Sequence, residues 1–416
     1  MNNPKIRFKG YTETWEQRKL EDMCTIITKQ TGFDYSATIK PSLVTTKESD
    51  TYSFIQNKDF EGTNINLDTD FYIPISVAEK YPKITLDQPS LLISISGRIG
   101  NVGLYSLESK AFIGGAVGIC KLKNIEDGKT ALYELLSPAG QKYFNSLIKA
   151  SSHANITVED IRNIEVLLPK DEDEKKKLNS YFDNLDSLIT LHQRKCDETK
   201  ELKKFMLQKM FPKNDDKKPE LRFKRFTDDW EQRKLGEVFE QTTNFVNLDE
   251  GKMELWSLTV EDGLTPKSER YNREFLVKKD TNFKEVRPGD IVYNPMNMTL
   301  GAVGYNGMAK SVAVSGYYTT MVANAGYDSY YINTWLKSPY AISLYKTFAT
   351  GSLKEKQRVQ FPTLSIIPTV FPESEEQKKI GQFFERLDNL ITLHQRKCEK
   401  LKELKKYMLQ NMFAQT

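Results

Sequence analysis

Two stretches of about 40 residues place their inward-facing side chains in alternating steps of four and three. In the first these are Leu178, Phe182, Leu185, Ile189, His192, Cys196, Thr199 and Met206; in the second they are Ile380, Phe384, Leu387, Ile391, His394, Cys398, Leu401 and Met408. Such a seam, sustained over about four heptads, predicts two long amphipathic helices that pack as a coiled coil. Lys203 and Lys405 interrupt the two seams at the same place. Neither glycine nor proline occurs in 171–211, and Gly381 alone occurs in 373–413. Acidic residues open both stretches and lysines crowd their ends, as a helix dipole favours.

Ahead of each helix lies a stretch of mixed periodicity. Apolar runs bounded by glycine turns predict buried strands at 89–95 and 116–123 in the first half, and at 289–294 and 317–324 in the second. Helical patterns at 130–149 and 330–349 each contain Ser-Pro, at 137–138 and 338–339, which predicts one helix ending and another beginning. Ile99-Gly100-Asn101-Val102-Gly103 echoes Leu300-Gly301-Ala302-Val303-Gly304, a tight strand–turn–strand pattern rather than a dinucleotide loop. Each stretch therefore reads as an α+β domain.

The chain repeats itself. WEQRKL at 15–20 returns at 230–235, and LITLHQRKC at 188–196 returns at 390–398, so two copies follow one another in tandem. The segments that open the copies also match, with Phe8 and Trp15 answering Phe223 and Trp230 as aromatic anchors of an extended tail. The boundaries expected are a first domain over 1–170, a spacer helix over 171–211, a linker over 212–218, a second domain over 219–372 and a second spacer helix over 373–413. A helix of about 40 residues is about 60 Å long. Packed antiparallel about a pseudo-twofold axis, two of them would hold two divergent domains at opposite ends of a rigid spacer. B-DNA presents equivalent major-groove faces about every 34 Å, so a split DNA site suits that geometry. Because the domains differ, the half-sites should differ as well.

Composition narrows this little. With 39% hydrophobic and 28% charged residues the chain reads as an ordinary globular protein, and a net charge of +4 does not by itself announce nucleic acid. No apolar run reaches membrane-spanning length and the N-terminal segment has no apolar signal region, so a cytoplasmic protein without a membrane partner is expected. The four cysteines form neither C-x-x-C pairs nor a disulfide framework.

Catalytic chemistry is hard to find. The nearest approach to an amino-methyltransferase loop, Asn294-Pro295-Met296-Asn297, lacks the second proline and the aromatic that would stack on a flipped base. Nor is there a phosphate loop for ATP or a nuclease carboxylate cluster. His192, Cys196, His394 and Cys398 would approach one another in an antiparallel pair. They could fix register as a polar stripe or hold zinc as a Cys2His2 set, and the first reading, with no metal, is preferred.

In its architecture, and in its W-E-x-x-K-L and L-I-T-L-H-Q-R-K motifs, the chain resembles the specificity subunits of type I restriction-modification enzymes, the HsdS family. The resemblance implies two target-recognition domains on double-stranded DNA, spaced by the helices. It also implies docking of two methyltransferase subunits that methylate adenine, and of restriction–translocase subunits. S-adenosylmethionine, ATP and Mg would then belong to those partners, and this chain would carry no cofactor and no catalysis.

Base readout needs amide and basic side chains on groove-facing loops. Candidates in the first domain are Lys29, Gln30, Arg98, Asn101, Ser152, His153 and Asn155. Those in the second are Asn244, Asn294, Asn297 and Lys310, with the polar run Ser352, Lys354, Lys356, Gln357 and Arg358. Two other readings compete: a duplicated coiled-coil adaptor for two different proteins, and a self-sufficient methyltransferase, which the missing cofactor motifs disfavour.

Overall fold

The computed structural model describes residues 4–150, 155–213, 216–247, 253–266, 282–351 and 357–413. The chain forms two compact units, one from Met1–Gln193 with Arg396–Thr416 and the other from Arg194–Gln395. Each long helix therefore contributes one end to each unit. Among the described residues no helix is long and apolar enough to cross a membrane.

In the first unit, β1 (Glu16–Lys19) follows the buried Trp15, and a mixed body is then built from β2 (Cys24–Lys29), β3 (Ser90–Ser94), β4 (Val102–Tyr105) and β5 (Val117–Leu122). These four strands make an antiparallel sheet in the order β2-β5-β3-β4. Helices α1 (Ile125–Leu136) and α2 (Pro138–Ala150) follow, and β6 (Glu165–Leu168) pairs back onto β1 with Glu16 opposite Leu168. The chain then enters α3 (Glu172–Lys209).

The second unit repeats the plan. The same EQRK string forms β7 (Glu231–Lys234) behind Trp230. Next come β8 (Phe239–Thr242), β9 (Ile291–Tyr293), β10 (Val303–Tyr305) and β11 (Thr319–Ala323), which form an antiparallel sheet in the order β8-β11-β9-β10. Helices α4 (Ser329–Leu336) and α5 (Pro339–Phe348) precede β12 (Pro368–Phe371), which pairs with β7, and α6 (Ser374–Asn411) ends the copy.

These strands read as unbroken apolar runs because core lies on both faces of the sheet. Leu91 and Ile93 of β3 enter one apolar cluster while Leu92 enters another, and in β9 Ile291 and Tyr293 part from Val292 in the same way. Each Ser-Pro divides two helices as its chemistry dictates. Ser338 caps α5 by accepting a hydrogen bond from Ala341 N at 3.1 Å, and Pro339 takes the first helical position, where no N–H is needed. The repeated glycine pair has two separate causes. Gly100 and Gly301 adopt φ of +88° and +89°, which a tight turn requires. Gly103 and Gly304 instead leave room for close packing, since a Cβ would come within 2.5 Å of Ile65 and 2.7 Å of Leu258.

The long helices meet in an antiparallel sense within each unit. In the first, Asp186 faces Lys405 at 2.5 Å and Gln193 faces Cys398, with Phe413 against Phe182. In the second, Lys203 faces Asp388 at 2.5 Å and Phe211 packs on Phe384. The two lysines that interrupt the seams are thus its cross-links. Each reaches an aspartate of the other copy's helix, and a tyrosine hydroxyl donates to the same carboxylate, from Tyr133 to Asp186 and from Tyr330 to Asp388. Gly381 has a local reason as well, because a Cβ there would lie 2.6 Å from Asp328 Oδ1, the cap of α4. The first copy has Asn179 at that place, which bonds Thr130 and the Glu126 carbonyl.

The opening segments are tied down identically. The Arg7 guanidinium grips the buried Glu174 carboxylate through two hydrogen bonds of 2.6 and 2.8 Å, and Arg222 grips the buried Glu376 at 2.6 and 2.7 Å. Paired, planar, charge-assisted bonds of this kind fix both position and orientation.

Candidate nucleic-acid interface

In the antiparallel order β2-β5-β3-β4, the end of β2, the start of β5, the end of β3 and the start of β4 fall on one edge. The pairings Lys29 with Gly118, Ser94 with Val117 and Ile93 with Val102 mark it. A turn then carries Arg98 outward. It is closed by Ser94 N donating to Asn101 O at 2.9 Å, and Asn57 Nδ2 holds it by donating to Ser96 O at 2.7 Å. Asn155 joins the group through its bridge to Ser96, with Ile156 N donating to Ile95 O at 2.9 Å. Five candidates, Lys29, Gln30, Arg98, Asn101 and Asn155, are therefore gathered at one sheet edge, while Ser152 and His153 lie outside the described residues.

Their presentation differs. Lys29, Arg98 and Asn155 are exposed, and neither cation has an ion-pair partner among the described residues. Gln30, expected on a groove-facing loop, is only 3% exposed and points inward, with no hydrogen-bond partner for either amide atom. A buried, unmatched amide costs about 1–3 kcal/mol. Asn57, which sequence reasoning missed, also keeps its Oδ1 buried without a partner.

The second unit forms the corresponding edge from Thr242, Thr319, Tyr293 and Val303. Asn294 N donates to Ala302 O at 3.1 Å, and the Asn294 side chain accepts from Met296 N at 3.1 Å, which shapes the turn. Asn297 stands exposed on that turn and makes no side-chain cap. Val359 N donates to Pro295 O at 3.0 Å, so Arg358 takes the place that Asn155 holds in the first unit, bridged to Thr350 and with Gln357 beside it. Asn244 follows β8, its carbonyl accepting from Glu285 N at 2.8 Å. Lys310 is set apart, at the far end of β10, where it pairs with Glu254 at 2.7 Å. Ser352, Lys354 and Lys356 lie outside the described residues.

A second set of side chains at this edge was not singled out from the sequence. Phe245, Met296, Leu300 and Tyr317 are 63, 44, 61 and 69% exposed. Lys284 lies behind them, donating to Tyr318 O at 2.7 Å and sitting 5.9 Å from the Phe245 ring, and its burial lowers its pKa. The available signal was weak: Met296 and Leu300 lie in a turn, Phe245 in a two-residue strand and Tyr317 at the head of a run that reads as buried.

Among the described residues no group of three or more histidine, cysteine or acidic side chains is arranged to hold a metal. Cys398 donates its thiol to Gln193 Oε1 at 3.7 Å, and all four cysteines are buried and free.

A family model described as the type I restriction modification DNA specificity domain matches residues 12–201 and again residues 227–403. The chain belongs to this family. Each match to the specificity domain runs from an opening segment, across one mixed sheet-and-helix body, into a long helix. Among solved structures, the S subunit of a type I restriction-modification system from M. genitalium matches at TM-score 0.65 with 14% identity over 100% of each chain. The HsdS subunit of Thermoanaerobacter tengcongensis matches at TM-score 0.40 and 14% identity over 96% of each. A chain from a structure concerned with complex assembly and conformational transition of the type I system matches at 0.49 and 13% identity, over 95% of this chain and 96% of that one. At such identities the likeness is one of fold, and the first of the three carries it.

Proposed function

We propose that this specificity chain reads an asymmetric, bipartite DNA site, with one half contacted by each unit's sheet edge and the gap governed by α3 and α6. The observation that carries this reading is the pair of edges, which share strand order and turn glycines yet present different amides, cations and apolar groups. Side chains at base edges specify sequence, so different sets select different half-sites.

Catalysis is then supplied by partners: two adenine methyltransferase subunits with S-adenosylmethionine, and restriction–translocase subunits with ATP and Mg. Two identical subunits need the same surface twice. Leu188, Leu202 and Phe205 are exposed, as are their counterparts Leu390, Leu404 and Tyr407, so each unit presents a matching set of two leucines and one aromatic from its two helix ends. Exposed apolar groups at repeated positions suit a repeated docking partner.

Methylome sequencing of a host with and without the chain tests the proposal. A split adenine-methylated motif should appear only with it, and exchanging residues 219–372 for those of another family member should change one half of the motif alone. Change in both halves, or a motif without a gap, would refute it. The adaptor reading has no comparable support, because each edge carries amides and cations together.

A further inference from the structure

We infer that the second unit recognises an A·T-bearing half-site largely through thymine 5-methyl groups, contacted by Phe245, Met296, Leu300 and Tyr317, with Asn297 addressing adenine. This rests on the proposed reading of one half-site per sheet edge. Among the described residues, eight large hydrophobics from Leu221 to Ile366 are exposed, and the three most exposed of them, Tyr317, Phe245 and Leu300, all stand at the reading edge with Met296. Side chains from four successive strand ends do not collect in this way by ordinary surface scatter, and a concentrated apolar patch marks a binding surface.

The neighbours decide the occupant. Asn297 is exposed on the same turn as Met296 and Leu300, and Arg358 stands exposed beside them. An amide can bond adenine N6 and N7, an apolar side chain fits the thymine methyl, and a flanking cation suits phosphate. A protein partner's apolar surface would leave amide and guanidinium groups covered without partners. At the first unit's edge Phe33 is the one exposed large hydrophobic among the described residues, in company with Lys29 and Arg98, a chemistry directed to guanine and phosphate rather than to methyl groups.

Uracil tests the inference, since it keeps the pairing of thymine and lacks only the methyl. The full chain, assembled with its methyltransferase subunits, would be titrated with duplexes carrying the methylome-defined site, each thymine of the second unit's half replaced in turn. That half is assigned by exchange of residues 219–372. At least one replacement should weaken binding about fourfold, the worth of one buried methyl-sized group. The loss should vanish in a chain carrying Met296→Ser, Leu300→Ser and Tyr317→Ser, whose sites are exposed enough to leave folding intact. Equal binding of every uracil duplex, or a half-site without A·T pairs, would overturn the inference while sequence-specific binding upheld the proposed function. Loss of all site preference in the unaltered complex would defeat that function itself. A triple variant that failed to assemble with methyltransferase subunits would show the patch to be a protein-docking surface, and would also overturn the inference.

Discussion

At the strand ends of the first unit stand Lys29, Arg98 and Asn155; at the matching ends of the second stand Asn244, Asn297 and Arg358 among Phe245, Leu300 and Tyr317. Away from those ends the two units keep their anchoring contacts in duplicate, from the guanidinium grips at Glu174 and Glu376 to the crossed lysines at Asp186 and Asp388. Contacts that set position have been kept in duplicate, and contacts that set chemistry have been allowed to differ. Disturbing a duplicated contact should therefore give twin effects, and disturbing an unduplicated one should not.

The largest twin effect belongs to Arg7→Ala and Arg222→Ala. Each leaves a buried carboxylate without its ion-pair partner, which costs about 3–5 kcal/mol, with Glu376 keeping only its hydrogen bond from Trp230. Hydrogen exchange should show the opening turns of α3 losing protection in the first variant and those of α6 in the second, by similar amounts. Protection that fell in one variant alone would break the equivalence of the two anchors.

Next comes an effect confined to one unit. Counting from the shared Ser-Pro, the first unit has Glu134 where the second has Trp335. Burial raises the Glu134 pKa to about 8, only partly opposed by the hydrogen bond it accepts from Leu167 N. A carboxyl raised in this way binds a proton in the folded state that the unfolded chain has released. Stability of the first unit is therefore full below about pH 4.5 and falls as pH rises toward 8. Glu134→Gln keeps an acceptor for Leu167 N and removes the titration. Thermal melts at pH 5 and pH 8 should differ less in the variant, by as much as a few kcal/mol, and the second unit should show no matching change.

These contrasts also mark what a single sequence discloses. The seam was legible because its period is local: Leu178, Phe182 and Leu185 are buried as the step of four and three demands. Lys203 and Lys405 looked like faults in that seam because their partners lie some 185 and 219 residues away, and no local pattern points so far. At the edges, amide and cationic residues in turns could be picked out by type, and several come together in the fold. The exposed apolar set could not, since hydrophobicity in a sequence signals burial by default. Gln30 failed in the opposite sense: its polarity signalled exposure, and the fold turned it inward.

A smaller effect addresses the edges directly. Arg98→Ala should relax discrimination at one guanine of the first half-site by about 1–3 kcal/mol, leaving the second half untouched. Lys29→Ala should weaken binding to all sequences and lower the slope of log affinity against log salt by about one. Competition binding at several salt concentrations separates the two outcomes. An Arg98 variant that lost affinity evenly across sequences would make that side chain a phosphate contact.

The finest comparison sits inside the repeated string itself. Trp15 and Trp230 are equally buried and pack edge-on against an aromatic ring, Phe413 at 6.0 Å and Tyr331 at 6.4 Å. Their indole nitrogens part company: Trp230 Nε1 donates to Glu376 at 3.1 Å, while Trp15 Nε1 is buried with no partner. Replacing each by phenylalanine removes similar volume, so the difference between the two costs isolates the hydrogen bond. Trp230→Phe breaks a bond to a charged acceptor, and Trp15→Phe relieves an unmatched donor. The second copy should therefore lose about 1–2 kcal/mol more than the first, read by local hydrogen exchange at β7 and β1. Equal losses would mean that Trp15 also reaches Glu174 in solution, and the repeated string would then preserve a bond as well as a shape. Unequal losses would mean that it preserves the ring alone, with the bond free to lapse in one copy while the guanidinium grip on the carboxylate is kept in both.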